Sequence, residues 1–228
     1  LPAVLKRAKG PWVERPLNDK TIVYGRAGEA SSFEGILAKA LCRAGANPHL
    51  VGDVAASPSF AEPGEAFGRP AKALDLEALD DKMRVDGLLF DATSIATPNQ
   101  LEELRAFFAP LVRKLNRSGR VVVIGRPATT TSTVEAAACQ RALDGFVRSL
   151  AKEIGRKGST ANLIVLSPGA EANLVGPLRY LLSEHSAFVT AQPLFVTVEG
   201  SNETDVPFQR SLEGQVARLL HVVGRQVG

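Results

Sequence analysis

Three stretches of the sequence put anion-binding or acid–base side chains where an apolar run gives way to a polar turn. The first is Gly25-Arg26-Ala27-Gly28-Glu29-Ala30-Ser31, which follows Thr21-Ile22-Val23-Tyr24. A helix opening there would offer free backbone N–H groups to a phosphate, with Gly25, Arg26 and Ser31 as candidate ligands. Glu29 works against this, because a carboxylate repels phosphate. Ser31 and Glu34 also have the spacing of a capping box, and Ser31 as a plain helix cap is the simpler reading. The second stretch is Thr129-Thr130-Thr131-Ser132-Thr133. Thr129 and Thr130 are candidates for a flavin or nucleotide phosphate, although a solvated loop with a cap accounts for the same hydroxyls. The third is Asp91, directly after Gly87-Leu88-Leu89-Phe90, where open sheets carry functional carboxylates or, more simply, an Asp that closes a loop. His49, His185 and His221 lack metal-ligand spacing and have no Cys or Glu cluster beside them, so no metal is expected.

The elements that must position these groups alternate along the chain. Residues 1–19 contain Pro2, Pro11 and Pro16 amid mixed charge and read as an arm. Strands are expected at Thr21–Tyr24, His49–Val51, Gly87–Phe90, Val121–Ile124, Leu163–Leu166 and Leu194–Val198. Between them, a helix runs from the Ser31 cap to Gly45, with Ile36, Leu37, Ala40 and Leu41 on its apolar side. Another opens at Thr97-Pro98 with Gln100 in the reciprocal capping position. Leu101, Leu104, Phe108, Leu111 and Leu115 repeat along it, and Pro110 predicts a kink or break. Ser132 and Glu135 cap a long helix to about residue 156, with Leu143, Phe146, Leu150 and Ile154 inward. Residues 176–184 form a short helix. The prolines and glycines of 55–71 predict an irregular loop, and the polar stretch 200–210 a linker. Right-handed βα crossovers then give a doubly wound, mostly parallel α/β sheet in three layers with an N-terminal arm.

Composition sets the outer bounds. The chain has 228 residues, 45% hydrophobic and 22% charged, with a net charge of +3, which excludes disordered and disulfide-scaffold classes. Its basic residues are scattered in sequence, so neither nucleic acid nor a membrane is an expected partner. No apolar run reaches the ~18–20 residues of a membrane span. Cys42 and Cys139 fall in unrelated helices, which fits a reduced, cytoplasmic protein.

Four segments, in order over roughly residues 85–200, resemble the short-chain dehydrogenase/reductase superfamily. They are Gly119–Ile124, Ala142–Glu153, Asn162-Leu163-Ile164-Val165-Leu166-Ser167-Pro168-Gly169, and Ser183–Gln192. The resemblance implies a Rossmann- or flavodoxin-like fold. It also implies a glycine-rich phosphate loop after the first strand, where this chain has only Gly25 and Gly28. The family's Asn-Asn-Ala-Gly turn is replaced here by Phe90-Asp91-Ala92-Thr93. Alignment on Gly145-Phe146 puts Ala136 at the catalytic Tyr position, Gln140 at the Lys position, and Gly125 or Arg126 near the carbonyl-polarising Ser. Carbonyl reduction needs a proton donor of lowered pKa, and neither Ala136 nor Gln140 supplies or tunes one. No catalytic residue is therefore assigned. In that superfamily the helices equivalent to 101–115 and 143–154 often form a dimer interface, so a homodimer is an expected assembly.

The long arm, the degenerate scaffold and Ser211-Leu212-Glu213-Gly214-Gln215-Val216-Ala217 resemble the high-molecular-weight 3-oxoacyl-[acyl-carrier-protein] reductases. In that family a flavodoxin-like amino-terminal domain without catalytic residues precedes an NADH-dependent ketoreductase domain. The implied organisation is an arm at 1–19, an α/β domain at 20–200, and a linker with the remnant of a ketoreductase start at 201–228. Arg218–Arg225 departs from the strand and glycine loop expected there. The resemblance assigns NADH or NADPH to the missing ketoreductase domain and no cofactor to this one. The implied partners are that domain and, through the parent enzyme, acyl carrier protein or coenzyme A thioesters. Trp12, Tyr24 and Tyr180 are the available Trp or Tyr rings, and none falls in a loop suited to bracket a flavin. The rival expectations are a self-contained nucleotide- or flavin-binding oxidoreductase and a structural module that docks a partner.

Overall fold

The computed structural model describes residues 4–52 and 57–199. The linker and ketoreductase remnant expected at 201–228 lie outside the described residues, as does the 211–217 segment.

Seven strands make one sheet: β1 (Thr21–Arg26), β2 (Asn47–Val51), β3 (Lys72–Leu74), β4 (Val85–Asp91), β5 (Leu115–Gly125), β6 (Thr160–Leu166) and β7 (Pro193–Val196). Their order is β3-β2-β1-β4-β5-β6-β7, and every neighbouring pair is parallel. Because successive side chains alternate across a strand, each central strand serves two cores. Ile22, Tyr24, Leu89, Val122, Ile124, Ile164 and Leu166 face helices α1 (Glu34–Arg43) and α5 (Val175–Leu182). Val23, Leu88, Phe90, Val121, Val123, Leu163 and Val165 face helices α3 (Leu101–Leu111) and α4 (Val134–Ile154). The expected doubly wound, three-layer architecture is therefore observed. Its sheet is wholly parallel and holds one strand more than expected. That strand, β3, is three residues long with Lys72 and Ala73 exposed, so it carries no apolar run.

Several local expectations are corrected. Ser31 and Glu34 do not form a capping box: α1 begins at Glu34 after Phe33, with no side-chain cap. Glu34 is 1% exposed and turns inward, as described below, so it cannot reach back to the Ser31 N–H. The long helix α4 is capped by Thr133 rather than Ser132, the Thr133 hydroxyl accepting from Ala136 N at 3.0 Å. Within 55–71, whose first residues are not described, Pro58–Phe60 form a 3-10 turn and Ala61–Ala66 form α2. Pro63 is tolerated there because first-turn N–H groups have no intrahelical acceptor. Phe60 is buried and its ring lies 5.5 Å from that of Tyr24. Pro110 is the tenth of eleven residues in α3, and the helix ends one residue later, at Leu111, where the chain passes into a 3-10 turn, so the predicted break is real.

The arm lies across the amino ends of the strands. Leu17 is buried in the core, Lys6 N donates to Ser118 Oγ and Ala8 N to Glu184 O. Trp12 stacks on His185, the ring centroids 3.6 Å apart and 12° from parallel. Burial pushes the His185 pKa below its ordinary value, against the pull of Glu184. The stacked form therefore favours the neutral ring, and the undocked form binds the extra proton as the solution acidifies. Arm docking should be intact above the ordinary histidine value of about 6.5 and weaken as pH falls below it. Trp12 is the single tryptophan, so its emission reads the arm directly. An emission spectrum unchanged between neutral and mildly acidic pH would contradict this linkage.

Candidate functional site

In an open parallel sheet, ligands enter where the strand order reverses, outside the carboxyl ends of the strands. Here that point lies between β1 and β4, and the register sets Arg26 directly opposite Asp91. Gly25, Arg26, Ser31 and Asp91, chosen from the sequence, converge at this edge. The two hydroxyls Thr129 and Thr130 do not join them. They lie exposed in the 3-10 turn Ala128–Thr130, where Thr130 donates to Pro127 O through both its N–H (3.0 Å) and its hydroxyl (2.9 Å).

The groups that would receive a phosphate are occupied by the chain's own carboxylates. Gly28, held at φ +60°, donates its N–H to Glu103 Oε2 at 2.9 Å. Arg26 Nε lies 3.2 Å from Glu34 Oε1, with the two side chains 6% and 1% exposed. Tyr24 Oη also donates to Glu34, and the Ser57 hydroxyl donates to its other oxygen. Arg126, immediately after β5, donates to Glu171 Oε1 at 2.9 Å and to Leu166 O at 3.2 Å, with its guanidinium 5.5 Å over the Phe33 ring. Phe33 and Glu34, both fully buried, fill the approach to the amino end of α1.

Gly25 is explained by packing rather than by a ligand. A Cβ there would stand 2.5 Å from the Phe107 ring, which itself packs against Phe90. Asp91 is 2% exposed and receives Thr93 N at 3.0 Å and Thr93 Oγ1 at 2.7 Å. Burial raises its pKa; Thr93, Ser31 and the charge of Arg126 act in the opposite direction. Asp91 thus closes the turn after β4. Burial also raises the Tyr24 phenol, assisted by the nearby carboxylates of Asp91 and Glu34, so this ring is an uncharged donor at any physiological pH.

The positions aligned with catalytic groups have structural employment. Gln140 is 4% exposed; its amide nitrogen donates to Ala92 O (2.9 Å) and Ile95 O (2.7 Å), while Oε1 accepts from Arg126 N at 2.7 Å. It clamps the loop after β4 to the end of β5. Ala136 is 5% exposed at the closed start of α4. At Gly125 a Cβ would meet Leu143 at 2.6 Å and Gln140 Oε1 at 2.9 Å, leaving no room for a hydroxyl-bearing side chain. Sequence reasoning identified Gln140 as a departure but missed its clamping role, together with the parts played by Glu34, Glu103 and Glu171. The signal for Glu103 was its place in the first turn of a helix, where a carboxylate is expected anyway.

Among the described residues there is no group of three or more His, Cys, Asp or Glu side chains able to hold a metal, and no helix is long and apolar enough to cross a membrane. Cys42 is buried and its thiol is pushed up to about 11 by desolvation, so it is not a nucleophile.

No protein-family model and no curated protein matches the sequence. Solved structures do match the fold. Acetoin dehydrogenase from Enterobacter cloacae is 18% identical with a TM-score of 0.61, over 80% of this chain and 99% of that one. A short-chain dehydrogenase/reductase variant from Serratia marcescens is 18% identical with a TM-score of 0.61, over 79% and 97% of the two chains. A Burkholderia xenovorans protein assigned to the same superfamily gives 18% identity and a TM-score of 0.65, over 79% and 96%. The chain therefore has the Rossmann-like fold of short-chain dehydrogenases/reductases.

Proposed function

We propose that this chain is a non-catalytic reductase-fold domain, the amino-terminal part of a 3-oxoacyl-[acyl-carrier-protein] reductase-like protein. The observation that carries this reading is Gln140, which spends its amide on three backbone groups at the position aligned with the catalytic lysine. A residue so engaged cannot lower the pKa of a proton donor, and Ala136 offers no acid to lower. The seat for a dinucleotide pyrophosphate is likewise filled from within, by Phe33, Glu34 and Glu103.

In the parent reaction a hydride from NADH or NADPH reduces a 3-oxoacyl thioester to the 3-hydroxyacyl thioester in fatty-acid metabolism. On this reading the cofactor and the acyl carrier protein or coenzyme A thioester belong to the ketoreductase domain. The present domain's partners are that ketoreductase domain and a second copy of itself, in the cytoplasm. The test mixes the purified chain with NADH and an acetoacetyl thioester, following NADH absorbance, with NADH binding measured by calorimetry. The expected result is neither turnover nor saturable binding. Turnover abolished by a substitution in this domain would overturn the reading, and tight NADH or flavin binding at the Arg26–Asp91 edge would favour a self-contained oxidoreductase instead.

A further inference from the structure

A small cavity of about 20 Å³ lies beneath the arm, at the amino ends of β1, β4 and β5. That volume suits one water or one monatomic ion, since a single water needs about 10–15 Å³. Lys6, Lys20, Arg117 and Arg120 line it against the carboxylates of Asp86 and Glu184. Both carboxylates are already engaged. Glu184 pairs with Lys20 at 3.5 Å, and Asp86 accepts from Thr21 N at 3.0 Å and Asn116 Nδ2 at 2.9 Å. Lys6 and Arg117 are exposed at the rim, and their side chains make no hydrogen bond or ion pair among the described residues. Positive charge is therefore in excess around a space that holds one particle.

Arg120 decides what that particle is. It is 3% exposed, and its Nε donates to Ser183 O at 3.0 Å. Its Nη1 donates to Ser118 O at 2.9 Å and Gly119 O at 3.3 Å, and its Nη2 to Lys6 O at 3.3 Å. All four acceptors are neutral backbone carbonyls. Of the five N–H groups of a guanidinium, one on Nη2 is left without an acceptor among the described residues. Arg26 and Arg126, by contrast, each pair with a carboxylate, Glu34 and Glu171. Burial depresses the Arg120 pKa, and Glu184 opposes this by its charge without bonding to it. A buried charge surrounded by dipoles alone keeps much of its desolvation cost, which a full counter-charge offsets. Water would satisfy the remaining N–H but not the charge, whereas a small anion would satisfy both.

We propose that this cavity binds one monatomic anion, chloride, with Arg120 as its buried counter-charge and Lys6 and Arg117 at its rim. The ion fastens the arm to β5, because Lys6 belongs to one and Arg120 to the other. In the test the full chain, dialysed into sodium gluconate, is titrated with sodium chloride at constant ionic strength. The linewidth of the chloride magnetic resonance and the thermal midpoint are followed together. One saturable component is expected in the linewidth, and the midpoint should rise with chloride as mass action requires. Bromide should compete, and sulfate, too large for the cavity, should not. Arg120→Gln should abolish the saturable component, and the double variant Lys6→Gln, Arg117→Gln should weaken it at least threefold. Arg113→Gln, which removes an exposed charge outside the cavity lining, should leave it unchanged. Circular dichroism establishes which variants are folded, and the double variant decides the matter if Arg120→Gln is not. Absence of a saturable component overturns the proposal in favour of a bound water. Competition by sulfate equal to that of bromide overturns it in favour of a surface effect of salt. Chloride binding left intact in the double variant or in folded Arg120→Gln also overturns it.

Discussion

Replacing Glu34 with alanine should destabilise the protein by about 3–5 kcal/mol, the cost of removing one partner from a buried ion pair. Arg26 and Glu34 are 6% and 1% exposed, so the guanidinium loses its buried carboxylate while keeping its bond to Gly28 O. The hydroxyls of Tyr24 and Ser57 also lose their acceptor. Chemical denaturation, read as a shift of midpoint at constant slope, measures the effect. The double variant Arg26→Met, Glu34→Leu should recover much of the loss, because it removes both charges and keeps apolar volume. If the single variant is within about 1 kcal/mol of wild type, well short of the expected 3–5, then the pair is solvated in solution and the closed seat is not maintained by it.

Restoring the two aligned catalytic residues should not restore chemistry. In the double variant Ala136→Tyr, Gln140→Lys, the lysine ammonium could still donate to Ala92 O and Ile95 O. It could not accept from Arg126 N, which would become a part-buried donor without its acceptor, at up to about 1–3 kcal/mol. The tyrosine enters a position that is 5% exposed, and overpacking there costs about 1–3 kcal/mol more. Combined destabilisation of about 2–6 kcal/mol with no NADH-dependent reduction is the expected outcome. Measurable reductase activity from the folded double variant would mean that the seat opens to cofactor despite Phe33, Glu34 and Glu103, and the non-catalytic reading would have to be abandoned.

The strands whose runs are apolar on both faces, β4, β5 and β6, were readable from composition alone, because burial on both sides leaves no polar alternation. So was the Thr97–Gln100 helix start, where Gln100 Oε1 accepts from Thr97 N at 3.1 Å. What could not be read were features decided across the fold. Ser31 and Glu34 carry a local capping pattern, yet the inward pull of Arg26, Tyr24 and Ser57 takes Glu34 away from it. Strand β3 exists because β2 offers it a hydrogen-bonding edge, through the pairing of His49 with Lys72, and not because its own residues favour a strand. At the carboxyl edge, Arg26, Ser31 and Asp91 were each legible singly, but their convergence follows from the strand order and the register of β1 on β4. The carboxylates that occupy that edge come from residues 34, 103 and 171, three different elements, and only the folded chain brings them together.

Glu34, Glu103 and Glu171 have a consequence for how the protein responds to its surroundings. A fold that takes its anion from a diffusing ligand gains stability by mass action and follows the concentration of that ligand. Here the anions are tethered, so their local concentration is set by chain connectivity and does not fall on dilution. If, as proposed, the domain binds no dinucleotide, the carboxyl edge keeps its order whatever the cellular pool of that cofactor, its anions being built into the chain.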